Sequence, residues 1–197
     1  VPIVISDEWI AKVKANQPEL RTEKLERYQR EFDLPKYDAE IITGHKKFAD
    51  LFEAATELCG KPKKVSNWIM VETMRLLKEN NMDPEDIRFS PVNLAKLINL
   101  ADSGSITNTV AKEVFERIFK DDIDPEKYVE EKGLKTVNDE GALRETVQKV
   151  LADNPQSVED YHNGKEKAIG FLVGQTMKAM KGKANPALVN QILKELL

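Results

Sequence analysis

The stretch DPEKYVEEKGLKTVND, residues 124–139, contains the start of one helix, its end and the start of another. The Asp124 side chain can accept a hydrogen bond from a free helical N–H group, and the following proline suits the first helical position, where its missing N–H costs nothing. Gly133 is placed to end this helix in the left-handed conformation. Asn138 or Asp139 then caps the next helix. The stretch therefore predicts two helices separated by a short link.

The same pairing of a capping residue with proline recurs along the chain and predicts an all-α fold. Its five occurrences are Asp83-Pro84, Ser90-Pro91, Asp124-Pro125, Asn154-Pro155 and Asn185-Pro186. Apolar residues recur at helical spacing almost throughout, and no stretch shows the alternation of a strand. We therefore predict helices near residues 6–15, 21–32, 36–43, 46–59, 62–80, 91–102, 107–120, 125–132, 139–153, 155–163, 165–181 and 186–197.

The link after Gly133 is the predicted boundary between two domains. With 197 residues the chain is long enough to bury a core without a disulfide or a metal ion. We predict a multi-helix domain over residues 1–134 and a small helical tail domain over residues 135–197, joined by an exposed link. Because the chain begins at Val1 and has no signal segment, we expect a fragment of a longer polypeptide.

Composition and charge narrow the class of protein. Apolar residues make up 41% and charged residues 32%, and no apolar run approaches the length of a bilayer span. The single cysteine, Cys59, excludes an internal disulfide and indicates a reducing, cytoplasmic location. From Tyr161 onward six lysines oppose two glutamates, so this part carries +4 and the preceding 160 residues carry −8. A basic tail indicates an anionic partner, although a solvated lysine face has the same composition.

Motifs of catalytic chemistry are missing from the sequence. It has no GxxxxGK[ST] phosphate loop, no HExxH zinc motif and no serine or cysteine close to a histidine. The two histidines, His45 and His162, lie beside predicted turns and are interpreted as structural or solvated. The acidic stretch DDIDPE lacks the glycine of a calcium loop. We therefore predict no catalytic residue, metal site or cofactor here, so the chain alone is not a self-sufficient enzyme.

The helix predicted within KAIGFLVGQTMKAMKGKANP, residues 167–186, has one apolar side and one unusual side. The apolar side is expected to face the last helix and holds Ile169, Leu172, Val173, Thr176, Met177, Ala179 and Met180. The other side, with Phe171 at its margin, holds Lys167, Gly170, Gly174, Lys178 and Lys181. Two glycines in a helix interior cost about 1 kcal/mol each relative to alanine, so we expect a close neighbour there. That neighbour is either another helix or a phosphate backbone.

The continuation KGKANP favours a phosphate backbone. Gly182 is expected to turn the chain after the helix, so that Lys181, Lys183 and the free N–H groups at the Asn185 cap lie together. Cations beside a helix N-terminus bind phosphate oxygens. No group of aromatic side chains forms a stacking platform, which argues against recognition of single strands.

Four long stretches carry a resemblance to a known family. They are LPKYDAEIITGHKKFADLFEAA, VSNWIMVETMRLLKENN, EKGLKTVNDEGALRETV and NPQSVEDYHNGKEKAIGFLVGQTMKAMKGKANPALVNQILKELL. Together they resemble the C-terminal end of GatB, one of the subunits of the tRNA-dependent aspartyl/glutamyl amidotransferases, over essentially the whole chain. The last stretch is also similar to free-standing YqeY-type proteins. The resemblance implies a helical domain followed by a YqeY-like tail domain.

The resemblance also implies a function. The family forms a complex of three subunits that amidates glutamate or aspartate mischarged onto tRNA(Gln) or tRNA(Asn). The amidase subunit releases ammonia from glutamine, a further subunit is small, and GatB uses ATP and magnesium in an N-terminal cradle domain. This chain lacks the cradle, so no catalytic or metal residue of the family carries over to it.

The task implied for this chain is to grip the tRNA body by shape and charge rather than by base sequence. The predicted RNA-binding residues are Lys167, Gly170, Gly174, Lys178, Lys181, Lys183 and Asn185. Two other functions stay open. A protein interaction module would dock a partner helix on the strip that contains Gly170 and Gly174, and an independent enzyme would need a site assembled from scattered carboxylates.

Overall fold

The computed structural model describes Glu8 and residues 19–197, and over these residues the chain is all-α, as predicted. The predicted helix at residues 6–15 lies outside the described range. In chain order the elements are α1 Arg21–Phe32, α2 Lys36–Gly44, α3 Lys46–Cys59, α4 Pro62–Asn67, the π-helical segment π1 Trp68–Thr73, α5 Met74–Glu79, the 3-10 turn Pro84–Asp86, α6 Pro91–Asp102, α7 Asn108–Asp121, α8 Pro125–Glu131, α9 Glu140–Asp153, α10 Pro155–His162, α11 Lys167–Ala179 and α12 Pro186–Leu196.

Most helix ends follow from the side chains beside them. Ser90, Asp124 and Asn185 each accept a backbone N–H of the helix that follows, as their pairing with proline predicted. Asp139, rather than Asn138, caps α9 in the same way. Gly133 ends the helix before it with a φ of 59°, which a residue without a Cβ adopts at little cost.

Two of the five predicted helix starts are wrong in detail. Pro84 begins only a single 3-10 turn, because the chain then extends and buries Ile87 and Phe89 in the core. Asn154 does not cap α10. Its side-chain amide instead donates to the Val150 carbonyl oxygen at 2.8 Å and so closes the end of α9. Both differences arise from contacts outside the local capping pattern.

The buried hydrophobic residues form two separate clusters. The larger cluster runs from Tyr28 to Val129 and includes the fully buried Phe52 and Phe115. The smaller cluster is built by α9, α11, α12 and the loop before α12, and its members are Leu143, Val147, Val150, Leu172, Ala184, Val189, Ile192 and Leu193. The division into domains at residues 134 and 135 stays a prediction, and the link lies between the two clusters.

The link between the clusters is held at both sides, so the prediction that it is an exposed connection is wrong. The Thr136 N–H donates to the Ser105 carbonyl oxygen at 2.9 Å, and the Val137 N–H donates to the Lys183 carbonyl oxygen at 2.8 Å. Val137 also accepts the Asn185 N–H and is partly buried against the smaller cluster. These backbone bonds tie the link to both halves of the described chain.

The predicted helix at residues 62–80 is continuous, but its middle is wider than an α-helix. The π-helical segment π1 joins α4 to α5, and the Thr73 hydroxyl donates to the Trp68 carbonyl oxygen five residues earlier at 3.0 Å. Within π1, Glu72 is only 4% exposed and bonds Arg75 and Lys112. Burial alone raises the pKa of Glu72, but hydrogen bonds from Lys112 and Arg75 outweigh it and leave the pKa below its ordinary value.

Replacing Glu72 by glutamine is expected to lower the free energy of unfolding at pH 7 by about 1–2 kcal/mol, because two charge-assisted hydrogen bonds are weakened. Since the pKa is lowered in the folded protein, the contribution of Glu72 is complete above about pH 5 and is lost as the pH falls through the folded pKa. Chemical denaturation of both proteins from pH 7 to pH 3 measures this difference.

The matched control is Glu79→Gln, which removes a more exposed carboxylate from the same arginine. It should lower the free energy of unfolding by less than about 0.5 kcal/mol. An equal effect of the two substitutions, or a Glu72→Gln effect that does not shrink in acid, contradicts the assignment.

Candidate functional site

The inner side of α11 is buried in the smaller cluster. Leu172 and Thr176 are fully buried, and the Thr176 hydroxyl donates to the Leu172 carbonyl oxygen at 2.9 Å. Ile169, Val173 and Met177 are partly buried against the same cluster. Contacts with α9, α10 and α12 hold the helix in place. The predicted apolar side is therefore correct except at Ala179, which is exposed.

The opposite side of α11 is open, and we call its residues Lys167, Gly170, Gly174 and Lys178, with Lys181 beyond the helix end, the glycine–lysine strip. Gly170 and Gly174 are exposed, and a Cβ atom placed on either of them meets no neighbouring group within 4 Å. Over the described part of the chain, no other helix packs against these glycines. Packing within the described chain therefore does not explain them, and the space beside them is available to another molecule.

The lysines of the strip carry uncompensated charge. Lys167, Lys178 and Lys181 are exposed, and among the described residues no carboxylate oxygen lies within 4.0 Å of their ammonium groups. Nearby cations are paired instead. The Lys165 ammonium bonds Asp160 at 2.9 Å and lowers the pKa of that carboxyl, and Arg144 bonds Glu195. The strip is thus a positively charged surface beside bare helical backbone, an arrangement that attracts polyanions.

Phe171 lies beside this strip with half of its surface in water. Its side chain is 49% exposed, although the sequence placed it only at the margin of the strip. On a helix, Phe171 lies on the same face as Lys167, four residues earlier, and Lys178, seven residues later. The strip therefore combines cations, bare backbone and one aromatic ring.

The chain turns sharply where α11 ends. Lys181 and Gly182 both adopt left-handed conformations, with φ values of 52° and 73°. The Gly182 N–H donates to the Met177 carbonyl oxygen at 2.8 Å, which satisfies one of the last carbonyl groups of the helix. Lys181 stays exposed at this turn, whereas Gly182 is buried.

The loop after the turn packs against the larger cluster, and we call this contact of Gly182–Asn185 with Thr107 and Thr109 the seam. The Thr107 hydroxyl donates to the Gly182 carbonyl oxygen at 2.6 Å in a buried position. A Cβ atom on Gly182 would lie 2.9 Å from the Thr109 Cγ2 atom, closer than such atoms normally approach. The loop therefore requires a glycine at this position both for its backbone conformation and for space.

Lys183 and Asn185 lie at the seam and not on the open face of α11. The Lys183 ammonium donates to the Gly133 carbonyl oxygen at 3.3 Å. The Asn185 side-chain oxygen accepts the N–H groups of Ala187 and Leu188, at 3.1 and 3.4 Å. These N–H groups are therefore not free to bind phosphate, contrary to the prediction. Five of the seven predicted residues form the open strip, and two hold the seam.

The part of the chain that contains both the strip and the seam matches a known family. The sequence model described as the GatB domain matches residues 50–197. This span is about three quarters of the chain. The chain belongs to the GatB domain family. The resemblance inferred from the sequence motifs is thereby confirmed.

Similar full proteins carry one name, that of the B subunit of the aspartyl/glutamyl-tRNA(Asn/Gln) amidotransferase. Over all of its 197 residues the GatB-domain chain is 71% identical to the protein of this name from Agathobacter rectalis, covering 42% of that protein. The proteins of the same name from Lachnoclostridium phytofermentans and Thermoanaerobacter pseudethanolicus are 59% and 52% identical over the whole chain, with 41% and 42% of their lengths covered. The chain therefore spans about two fifths of the length of these relatives.

The GatB-domain chain has a second recess, which the sequence did not indicate. A cleft of about 560 Å³ in the larger cluster is lined by Trp68 and Val71 and bordered by lysines. Its cations differ from those of the strip, because Lys64 bonds Asp102 and Lys112 bonds Glu72. Charge compensation makes this cleft a weaker candidate for a polyanion than the strip.

The described residues offer neither a metal cluster nor a membrane span. Across residues 19–197, no three histidine, cysteine, aspartate or glutamate side chains gather as a metal site requires. No helix in the same part of the GatB-domain chain combines the length and hydropathy needed to cross a bilayer. The strip is therefore the surface on which a functional proposal rests.

Proposed function

We propose that this GatB-domain chain holds the body of a tRNA for the GatB subunit of an amidotransferase. In this function the whole GatB protein works with an amidase subunit and a small third subunit to amidate Glu-tRNA(Gln) or Asp-tRNA(Asn). The names of the relatives support the substrate class. The observation that carries the tRNA-holding role is the open glycine–lysine strip, whose three lysines have no carboxylate partner in the described part of the chain.

The strip suits a folded RNA because it offers charge and close approach together. Lysine ammonium groups bind phosphates as point charges and release counterions, which gives affinity without reading bases. At Gly170 and Gly174 the absence of a side chain lets a phosphate backbone come close to the helix. Recognition of this kind depends on the shape of the RNA and on the spacing of its phosphates.

The chemistry of amidation belongs elsewhere in the proposed GatB protein. ATP and magnesium would bind in a cradle region that this chain does not include, and the present chain would need no cofactor for its own task. The chain alone is therefore proposed to be non-catalytic, with a role in positioning the RNA.

Replacing Gly174 by leucine tests the close approach without changing any charge. Because a Cβ at this position meets no neighbouring group, the fold should tolerate the side chain, and the melting temperature should stay the same or rise. The affinity for folded tRNA should fall by about tenfold, since a loss of about 1.4 kcal/mol from steric obstruction is a factor of ten. Fluorescence anisotropy and thermal unfolding measure the two quantities.

The matched control is Ala179→Leu, which adds bulk at an exposed position of the same helix outside the strip. It should leave tRNA affinity unchanged. Wild-type affinity in the Gly174→Leu variant would show that RNA does not approach the glycines.

A protein helix that docks on the strip is the competing function, favoured by the exposed Phe171. Salt distinguishes the two functions. Binding to tRNA should weaken steeply with rising salt concentration, whereas docking of an apolar helix should change little.

A further inference from the structure

Phe171 differs from every other phenylalanine of the chain. Of the seven phenylalanines, Phe48, Phe52, Phe89 and Phe115 are buried, and Phe32 and Phe119 are partly buried against the larger cluster. Phe171 alone is exposed, at 49%, and it packs against no other aromatic ring of the described residues. Leaving this much apolar surface in water is unfavourable, and an exposed aromatic ring within a polar surface marks a binding contact.

The surroundings of the ring indicate what it contacts. Lys167 and Lys178 lie on the same helical face as Phe171, about 6 Å before and about 10 Å beyond it along the helix axis at 1.5 Å per residue. Both ammonium groups lack a carboxylate within 4.0 Å in the described part of the chain. Gly174, three residues after Phe171, leaves the side of the ring clear. A ligand for this site therefore has a flat apolar group with negative charges on both sides.

An unpaired nucleotide of RNA has this chemistry. Its base has an aromatic face that stacks on phenylalanine, and phosphates flank it along the strand. A paired base inside a helix is already stacked on its neighbours and does not offer this face. A protein helix would supply apolar groups, but it has no regular negative charge to match the two lysines.

We propose that Phe171 is the stacking platform for one unpaired base of the bound RNA, with the flanking phosphates held by Lys167 and Lys178. The inference rests on the proposed tRNA-holding function and adds a contact with a base to it. It differs from the sequence interpretation, which found no aromatic platform, because a single exposed ring is enough for one base. The strip then distinguishes an RNA that presents a looped-out base from a fully paired one.

The test compares Phe171→Leu with Phe171→Trp in the full chain. The RNA probes are a folded tRNA transcript and a perfectly paired duplex of similar length. Leucine keeps apolar bulk but cannot stack, so it should weaken tRNA binding by about tenfold. The log-log dependence of this binding on salt should keep its slope, because no phosphate contact is lost. Tryptophan should bind tRNA at least as tightly as phenylalanine, and duplex affinity should be the same for all three proteins.

The outcomes separate this inference from the function on which it rests. If the wild-type chain binds no tRNA, the proposed function fails and the inference fails with it. If the wild-type chain binds tRNA with a steep salt dependence and Phe171→Leu binds equally well, only the inference is overturned. An equal loss for tRNA and duplex also overturns it, since that result shows an apolar contact without stacking. Thermal unfolding of each variant confirms that its fold is intact.

Discussion

Replacing Lys167, Lys178 and Lys181 together by glutamate is expected to weaken tRNA binding by about a hundredfold to a thousandfold at 0.1 M salt. Each lysine that neutralises a phosphate releases counterions, and at this salt concentration one contact contributes a factor of roughly five to eight. Three lost contacts therefore account for at least two orders of magnitude, and repulsion by the new carboxylates adds to the loss. The fold should be unaffected, because the three side chains are exposed and have no carboxylate partner among the described residues.

The salt dependence gives an independent measurement of the same contacts. The slope of log affinity against log salt concentration should flatten by about 0.7 to 0.9 for each lost contact, or by about 2 to 3 in total. A variant with Lys132, Lys149 and Lys194 changed to glutamate has the same net charge but leaves the strip intact, and all three of these side chains are exposed. If both triple variants lose affinity equally, general charge and not the strip holds the RNA.

Replacing Gly182 by alanine is expected to lower the free energy of unfolding by about 2–4 kcal/mol. An alanine in the left-handed conformation, which Gly182 adopts with a φ of 73°, costs about 1–2 kcal/mol. The remainder comes from the new Cβ atom, which would lie 2.9 Å from the Thr109 Cγ2 atom in a buried contact. Relief of this overlap displaces the loop and strains the bond from the Thr107 hydroxyl to the Gly182 carbonyl oxygen.

Gly164 provides the matched control for the backbone cost. It also adopts a left-handed conformation, with a φ of 86°, but a Cβ placed on it meets nothing within 4 Å. Gly164→Ala should therefore show only the cost of about 1–2 kcal/mol. Adding Thr109→Ser to Gly182→Ala removes the overlapping methyl group and should recover part of the stability. Equal urea-unfolding free energies for the two alanine variants would mean that the seam contact is unimportant.

Helix ends in this protein could be predicted because they depend on neighbouring residues. Ser90 and Asp124 cap the helices that follow them, and Gly133 ends a helix through its own backbone freedom. The start at Pro84 was mispredicted because burial of Ile87, a tertiary contact, stops the helix after one turn. Local patterns describe local bonds, and they fail where the core imposes another conformation.

The candidate site divides in the same way. The spacing of glycines and lysines on α11 predicted one face of the helix, and the structure leaves that face open. The role of this face in RNA binding stays a prediction. The seam could not be predicted, because Thr107 and Gly182 are 75 residues apart and a hydroxyl–carbonyl bond leaves no periodic signal in the sequence. For the same reason Lys183 and Asn185 were assigned to phosphate before their contacts with Gly133 and Asn138 were known.

The 75 residues between Thr107 and Gly182 also set an order of events during synthesis. A ribosome adds about 5 to 20 residues per second, so about 4 to 15 s separate the emergence of these two residues. The larger cluster is complete by Val129 and can form during this interval. Its surface at Thr107 and Thr109 therefore waits for the end of the chain. During those seconds the nascent protein presents an unfinished face to which chaperones and neighbouring chains have access.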